Sequence, residues 1–281
     1  NPYDMRRIFL SLILLCLSAL SFCQDRIRVA CVGDSVTYGY GIKDRDNDSY
    51  PAQLQALLGS GYDVRNFGHN GATLLRHGHR PYVTLPEYTQ ALDFKADLVV
   101  IHLGLNDTDP RNWPNYSEEF IPDYRALIDT FRTVNPKARI WICRMTPIMH
   151  GHHRFQSGTR DWHAQEQKAI EQVASGAGVG LIDLYSPLFV RPDLFADNLH
   201  PDVEGAGIMA RTVYQAITGD FGGLSLSPMY TDDMVVQRDR PIVFSGVADA
   251  SETVKVTFAG SRIKAVAELV SKEKGNIVVL S

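Results

Sequence analysis

This sequence of 281 residues has few cysteines, no excess of basic side chains and no apolar run long enough to span a membrane. Only four cysteines occur, and two of these, Cys31 and Cys143, fall inside predicted strands as small buried side chains, so no disulfide framework is indicated. The 28 Lys and Arg residues are outnumbered by 32 Asp and Glu, and a net charge of −4 argues against a nucleic acid partner. No run reaches the roughly 20 apolar residues that a membrane-spanning helix needs, so stable membrane insertion is not expected.

The first residues have the pattern of a secretory signal peptide, which we predict over residues 5–23. Arg6 and Arg7 form a positively charged segment, and residues 8–22 form an apolar run that is interrupted only by serines. A cleaved signal predicts a secreted or periplasmic protein. A lipid anchor on Cys23 is the alternative, which we favour less because a bulky phenylalanine precedes that cysteine.

Strand and helix patterns alternate over residues 26–219. Five apolar or β-branched runs are typical of buried strands, at residues 27–32, 62–67, 96–103, 139–145 and 179–184. Helical spacing of apolar residues occurs at 50–58, 117–133, 161–177 and 203–218. This alternation predicts an α/β fold with a five-stranded parallel sheet between two layers of helices. In such sheets a ligand binds beyond the carboxyl ends of the strands.

The pattern changes after a linker at Phe221-Gly222-Gly223. Residues 224–281 contain short alternating stretches with Gly and Asp turns and no helical spacing, which is typical of a β-rich module. A complete β-sandwich needs about 100 residues. We therefore predict a partial β-sandwich-like module over 224–281.

Four short polar blocks lie just after predicted strands or just before the last predicted helix. They are Gly33-Asp34-Ser35, residues 66–73 (NFGHNGAT), residues 104–107 (GLND) and residues 197–201 (DNLHP). Each block alone is an ordinary loop, and Ser35 alone is typical of a helix N-cap. Because the carboxyl ends of parallel strands share one edge of a sheet, the four blocks are expected to meet there.

The last block carries the partners that a serine nucleophile needs. Asp197 and His200 lie three residues apart, so the carboxylate can fix the tautomer of the imidazole and stabilise its protonated form. With Ser35 they give the chain order Ser, Asp, His. The G-x-S-x-G turn of α/β-hydrolases is absent, because Gly33-Asp34-Ser35-Val36-Thr37 lacks the last glycine.

Taken together, the four blocks resemble those of the SGNH (GDSL-type) hydrolases, over about residues 27–218. The resemblance implies a flavodoxin-like three-layer α/β/α fold and a catalytic triad in which Ser35 is the nucleophile, His200 the general base and acid, and Asp197 its orienting partner. It also implies an oxyanion hole formed by the Ser35 N–H, the Gly71 N–H and the side-chain amide of Asn106. Glycine lets the backbone approach a reacting carbonyl, and asparagine supplies a neutral donor. No cofactor and no metal ion are expected.

The segment at residues 226–242 (LSPMYTDDMVVQRDRPI) resembles the opening of the β-rich region of sialate O-acetylesterase-like proteins. The alternative is a different small β-module associated with carbohydrate enzymes. Either relationship connects the protein with carbohydrate substrates.

Several other side chains have two possible roles. His150, His152 and His153 cluster after the fourth predicted strand, but they lack an acidic or cysteine partner at ligand spacing, so a solvated loop is favoured over a metal site. His102 lies in an apolar strand and is expected to be a core residue. The candidates for the walls of a substrate cleft are His69, His77 and His79 and the aromatic residues Trp113, Tyr116 and Trp162, for which packing is the equal alternative.

From these observations we predict a secreted serine esterase that removes short acyl groups, acetyl in particular, from an acylated carbohydrate. Two alternatives remain open: a lysophospholipase or acyl-thioesterase of the same family, and a flavodoxin-like carbohydrate-binding module without catalysis. The second has no need of Ser, Asp and His together at one edge of a sheet. The sequence gives no indication of the oligomeric state.

Overall fold

The computed structural model describes residues 26–153 and 158–223 and, nearer the C-terminus, five short strands. Five parallel strands form the main sheet in the order β2-β1-β3-β4-β5. Their bounds are β1 Ile27–Gly33, β2 Tyr62–Gly68, β3 Leu98–His102, β4 Arg139–Arg144 and β5 Gly180–Asp183. This strand order is the flavodoxin-like order, in which the ligand crevice lies beyond the carboxyl ends of the adjacent strands β1 and β3, where the strand order reverses.

Helices follow the strands and cover both faces of the sheet. In chain order they are α1 Ser35–Tyr38, α2 Arg45–Asp48, α3 Tyr50–Leu58, α4 Pro86–Asp93, α5 Trp113–Tyr116, α6 Phe120–Val134, α7 Thr159–Ala177, α8 Ser186–Phe189 and α9 Val203–Thr218. Helices α3 and α9 pack against each other, as do α6 and α7. The three-layer α/β/α fold predicted from the sequence is thereby confirmed. Within the described residues, no helix is long and apolar enough to cross a membrane.

The core lies on both sides of the central strands. All five residues of β3 are buried, as a strand covered by helices on both faces requires. On α6 the buried residues recur at helical spacing, at Phe120, Tyr124, Leu127, Ile128 and Phe131. These two elements anchor the loop that joins them, which contains residues 104–107.

The five predicted strands all form, with ends that differ by up to two residues from those predicted. The predicted helix at 117–133 begins with a 3₁₀ turn, Ser117–Glu119, before α6 starts. Nearer the C-terminus, antiparallel pairs join β6 Ser225–Leu226, β7 Ile242–Val247 and β10 Ile277–Leu280, and likewise β8 Thr253–Phe258 and β9 Ser261–Val266. The predicted signal peptide (residues 5–23) and most of the segment at 226–242 lie outside the described residues.

Candidate active site

The first polar block forms a tight turn between β1 and α1. Asp34, not Ser35, is the N-cap of α1, and its Oδ1 accepts a hydrogen bond of 2.9 Å from the Val36 backbone N–H. Ser35 is the first residue of the helix, and Gly39 ends the helix in the left-handed conformation with φ +88°. The N-cap role considered for Ser35 is therefore wrong, and its hydroxyl is available for another partner.

That partner is the last polar block, 165 residues further along the chain. His200 Nε2 lies 2.8 Å from Ser35 Oγ, and His200 Nδ1 lies 2.6 Å from Asp197 Oδ2. With its hydrogen on Nδ1, the imidazole donates to Asp197 and accepts from the Ser35 hydroxyl through Nε2. The structure thus brings the three predicted triad residues into one hydrogen-bonded chain. This arrangement allows a proton to pass from Ser35 to His200.

Asp197 is fixed by the backbone as well as by the imidazole. Its Oδ1 accepts hydrogen bonds from the backbone N–H groups of Leu199 and His200, at 2.9 and 2.7 Å. Partial burial raises the pKa of Asp197, but these hydrogen bonds and the one from the His200 ring outweigh it, so the pKa lies below its ordinary value. The carboxylate therefore stays ionised and can stabilise an imidazolium.

The second polar block places Gly71 at the same edge of the sheet. Gly71 has φ +79°, a conformation that side chains other than glycine rarely adopt. A Cβ atom here would lie 3.2 Å from Nη1 of Arg80, which donates a hydrogen bond to the Asn70 carbonyl. Both observations explain why glycine occupies this position.

Asn106 closes the site from the β3 side. The side-chain Nδ2 of Asn106 donates to the Ala72 carbonyl at 3.0 Å, and the backbone carbonyl of Asn106 accepts from Asn112 Nδ2 at 2.8 Å. Asn106 and Asn112 are both buried. Asn112 had no role in the sequence analysis, because no local pattern marks it, but it holds the backbone of Asn106.

Asp107 joins the loops after β2 and β3. Its two carboxyl oxygens accept hydrogen bonds from the backbone N–H groups of Leu74 and Leu75, at 2.9 and 2.7 Å. Burial raises the pKa of Asp107 to about 7, with a further increase from Asp34, although the hydrogen bonds from Leu75 and Leu74 oppose this shift. Asp107 thus fixes the loop after β3 to the loop after β2.

Comparison with known proteins identifies the family of the chain. Residues 31–208 match the model of the GDSL-like lipase/acylhydrolase family, which is more than half of the chain. The chain belongs to this family. The resemblance inferred from the four polar blocks is therefore confirmed.

Among related proteins, an acetylxylan esterase from Xylanibacter ruminicola is 35% identical over 219 residues. That alignment covers 69% of this chain but 44% of the esterase, so the chain spans less than half the length of this curated relative. Solved structures with the same fold include Est24, a carbohydrate acetylesterase from Sinorhizobium meliloti (18% identity, TM-score 0.56), which matches 70% of this chain and 100% of that chain. A carbohydrate esterase family 3 protein from Talaromyces cellulolyticus has 16% identity and a TM-score of 0.52, covering 68% of this chain and 96% of that chain.

Three histidines in or after the second polar block of this GDSL-like protein, His69, His77 and His79, have polar partners of their own. His69 Nδ1 lies 3.0 Å from Glu87 Oε1, and His77 Nδ1 lies 2.7 Å from Glu119 Oε2. The third, His79, donates its backbone N–H to Asn112 Oδ1 at 3.0 Å. These contacts hold the loops around the site. Whether the three histidines also line a substrate cleft stays a prediction.

The aromatic residues considered for a sugar-binding wall are mainly packing residues. Trp113 is 5% exposed, and its Nε1 donates to Gln165. Trp162 is half-buried against the core. Tyr116 is half-buried as well, with its ring 5.7 Å from that of His77. For Trp113 at least, core packing accounts for the side chain.

The histidine cluster after β4 lies beside the loop that carries Asp197 and His200. The backbone N–H of Met149 donates to the Asn198 carbonyl, and the rings of His152 and His153 stand 4.3 Å apart. Among the described residues, no three His, Cys, Asp or Glu side chains are grouped so that they could hold a metal ion.

An exposed aromatic residue missed in the sequence analysis adjoins the triad. The Tyr40 ring lies 4.5 Å from the His200 ring, tilted by 42°. Tyr40 is 50% exposed, although large aromatic side chains tend to be buried. A flat ring that is open to solvent therefore borders His200.

Proposed function

We propose that this protein is a serine esterase that removes short acyl groups, acetyl in particular, from carbohydrates. The observation that carries the proposal is the chain of contacts from Ser35 through His200 to Asp197, at 2.8 and 2.6 Å. Gly71 and Asn106 lie at the same edge of the sheet, where backbone and amide donors can stabilise an oxyanion. The related acetylxylan esterase supports an acylated carbohydrate as the substrate.

The proposed reaction proceeds through an acyl-enzyme. Ser35 Oγ bonds to the ester carbonyl carbon while His200 Nε2 takes the hydroxyl proton. The oxygen of the tetrahedral intermediate is held by the N–H groups of Ser35 and Gly71 and by Asn106 Nδ2. When the bond to the sugar oxygen breaks, His200 gives its proton to that oxygen. Water then attacks the acyl-enzyme, His200 takes the proton of the water, and Ser35 leaves with the proton restored as acetate departs.

Export is part of the proposal. The positive segment at Arg6 and Arg7 and the apolar run that follows support a signal peptide over residues 5–23. A secreted or periplasmic location would give the enzyme access to polysaccharide esters. The test is cleavage at this segment when the full chain is expressed, read from the N-terminal sequence of the exported protein.

The substrate proposal is tested by acetate release from acetylated glycans. Acetylated xylan is the first choice, acetylated sialosides test the resemblance of residues 226–242 to sialate O-acetylesterase-like proteins, and acetylated pectin serves as a third glycan. Ser35→Ala protein is the matched control, and it is expected to release no acetate above background. No acetate from any glycan, combined with rapid cleavage of octanoyl esters, would move the protein to the lysophospholipase or thioesterase alternative.

A further inference from the structure

A histidine is buried next to the turn Gly33-Asp34-Ser35, which joins β1 to α1 and is called the nucleophile turn below. His102 ends β3, whose other residues are aliphatic, and the ring is fully buried. It pairs in the sheet with Gly33, the residue before Asp34. Burying an imidazole in aliphatic surroundings costs free energy unless its polar atoms have partners, so the partners of this ring reveal what it does there.

The backbone of Thr146 fixes the tautomer of His102. The Thr146 N–H donates to His102 Nε2 at 3.1 Å, and the Thr146 carbonyl lies 3.1 Å from His163 Nε2. A backbone N–H can only donate, so His102 Nε2 carries a lone pair and the ring hydrogen is on Nδ1. The segment around Thr146 thus turns the Nδ1–H of His102 toward β1.

The atom that Nδ1–H faces is Oδ1 of Asp34, at 3.6 Å. This distance exceeds a hydrogen bond, so the contact is an electrostatic attraction between the N–H dipole and the carboxyl group. The same Oδ1 accepts from Val36 N–H and caps α1, whereas Oδ2 of the fully buried Asp34 has no hydrogen-bond partner among the described residues. Nor, within that part of the chain, does another basic side chain lie within ion-pair distance of Asp34.

We propose that His102 is a positioning residue for Ser35 that acts through Asp34. Its Nδ1–H holds the Asp34 carboxyl group in the orientation that caps α1, and this cap sets the position of the Ser35 N–H and Oγ. Without the attraction from His102, a buried carboxyl group with one hydrogen bond is free to rotate toward other polar partners. The nucleophile turn then loses its cap, and Ser35 moves relative to His200.

Two substitutions distinguish the contributions of the two ring nitrogen atoms of His102. His102→Asn keeps an N–H donor close to the position of Nδ1, whereas His102→Gln keeps a polar atom close to that of Nε2 and loses the donor toward Asp34. The readouts are kcat and KM for 4-nitrophenyl acetate, with the rate at which a fluorophosphonate labels Ser35. Cys143→Ala, which is equally buried on the neighbouring strand, is the control for lost packing. Thermal unfolding shows whether each variant is folded.

We expect kcat of His102→Gln to fall roughly 10–100-fold, because a misplacement of about 1 Å has effects on this scale. KM should change less than threefold, and the labelling rate should fall with kcat. His102→Asn should retain at least a third of wild-type kcat. The proposal is overturned if folded His102→Asn loses more than tenfold in kcat, or if folded His102→Gln has wild-type kcat. If His102→Gln does not fold, the kcat of His102→Asn alone still tests the proposal.

A double-mutant cycle with Asp34→Asn tests whether His102 acts through Asp34. If it does, adding His102→Gln to Asp34→Asn should change kcat less than threefold, since coupled residues are not additive. Effects that multiply would mean that His102 acts by another route. The inference rests on the proposed function for its readout, but the two can fail separately. A wild-type protein that the fluorophosphonate does not label contradicts the proposed function, whereas equal labelling of wild type and His102→Gln contradicts only the role of His102.

Discussion

The side-chain amide of Asn106 donates a hydrogen bond of 3.0 Å to the backbone carbonyl of Ala72. This contact joins the loops after β2 and β3, which supply two of the proposed oxyanion donors. An asparagine amide has two hydrogen atoms, so one remains for a substrate oxygen. Because Asn106 is 4% exposed and its backbone carbonyl is held by Asn112, the donor is fixed before substrate binds, and such preorganisation is what stabilises developing charge.

Replacing Asn106 should therefore slow the chemical step more than it weakens binding. For Asn106→Ala we expect kcat to fall roughly 10²–10³-fold. KM should change little, because the donor is aimed at charge that appears only during the reaction. Asn115→Ala is the matched control, since this exposed amide donates to the Arg111 carbonyl. A large rise in KM at unchanged kcat would make Asn106 a substrate-binding residue instead.

The triad contacts predict unequal effects of its three members. Ser35→Ala and His200→Ala should each lower kcat by about 10⁴–10⁶-fold with the fold intact, which is the effect of triad removal in serine hydrolases. Asp197→Ala should cost less, because Asp197 orients the imidazole and takes no part in bond formation. Steady-state kinetics with 4-nitrophenyl acetate measures all three, with the exposed Ser60→Ala as the control. If Ser35→Ala kept more than a tenth of wild-type activity, another residue would be the nucleophile.

The sequence predicts the strands and the four polar blocks well, because both are local patterns. Parallel strands covered on both faces must be continuous apolar runs, and each block directly follows a strand or precedes a helix. Helix α4 was missed, although Pro86 at its start is a favoured first-turn residue. Its weak apolar pattern, with Ala91 the only buried residue, explains why spacing did not reveal it.

The contacts around the triad could not be predicted in the same way. Asn112, Tyr40 and His102 contact His79, His200 and Asp34, which are distant in the sequence, and no local pattern predicts these contacts. Ser35 and His200 are brought together by the sheet across 165 residues. The resemblance to a family supplied these two residues, whereas the residues that support them became visible only in three dimensions.

His163 should make the protein less stable as the pH falls. Burial, assisted by His102 and Arg144, lowers the pKa of His163 to about 4, against a hydrogen bond with the Thr146 carbonyl that raises it. Between pH 6.5 and about 4 the unfolded chain binds a proton that the folded protein does not, so acidification favours unfolding by up to about 3 kcal/mol.

The measurement is urea unfolding of wild type and His163→Gln at several pH values. Glutamine keeps a donor for the Thr146 carbonyl and does not titrate, so the stability of wild type relative to the variant should fall by about 3 kcal/mol from pH 7 to pH 4. The comparison cancels the pH dependence that other buried groups contribute. One of these is Glu166, because burial raises the pKa of this carboxyl well above its usual range. Parallel pH profiles would contradict the prediction.

Tyr40 should contribute to binding of the sugar and not to the chemistry. Its half-exposed ring beside His200 offers a flat surface to a substrate whose ester lies at Ser35. Tyr40→Ala should raise KM for acetylated xylo-oligosaccharides roughly 3–10-fold, which is the scale of one aromatic contact. Tyr40→Phe, which keeps the ring, should behave like wild type. An equal loss with 4-nitrophenyl acetate would instead assign Tyr40 to the support of His200.

The acyl group should be small. We expect little space around the acyl group, because Ser35 and Asn106 are 6% and 4% exposed and the Gly71 loop is tied to Asn106 through Ala72. A misfit methylene in such a pocket costs about 1–3 kcal/mol, and butyryl esters should therefore react at least tenfold more slowly than acetyl esters in kcat/KM. The measurement compares acetyl, butyryl and octanoyl 4-nitrophenyl esters, with Ser35→Ala as the blank for each. A preference for octanoyl esters would mean that the loops open into an acyl groove, and the acetyl assignment would then be abandoned.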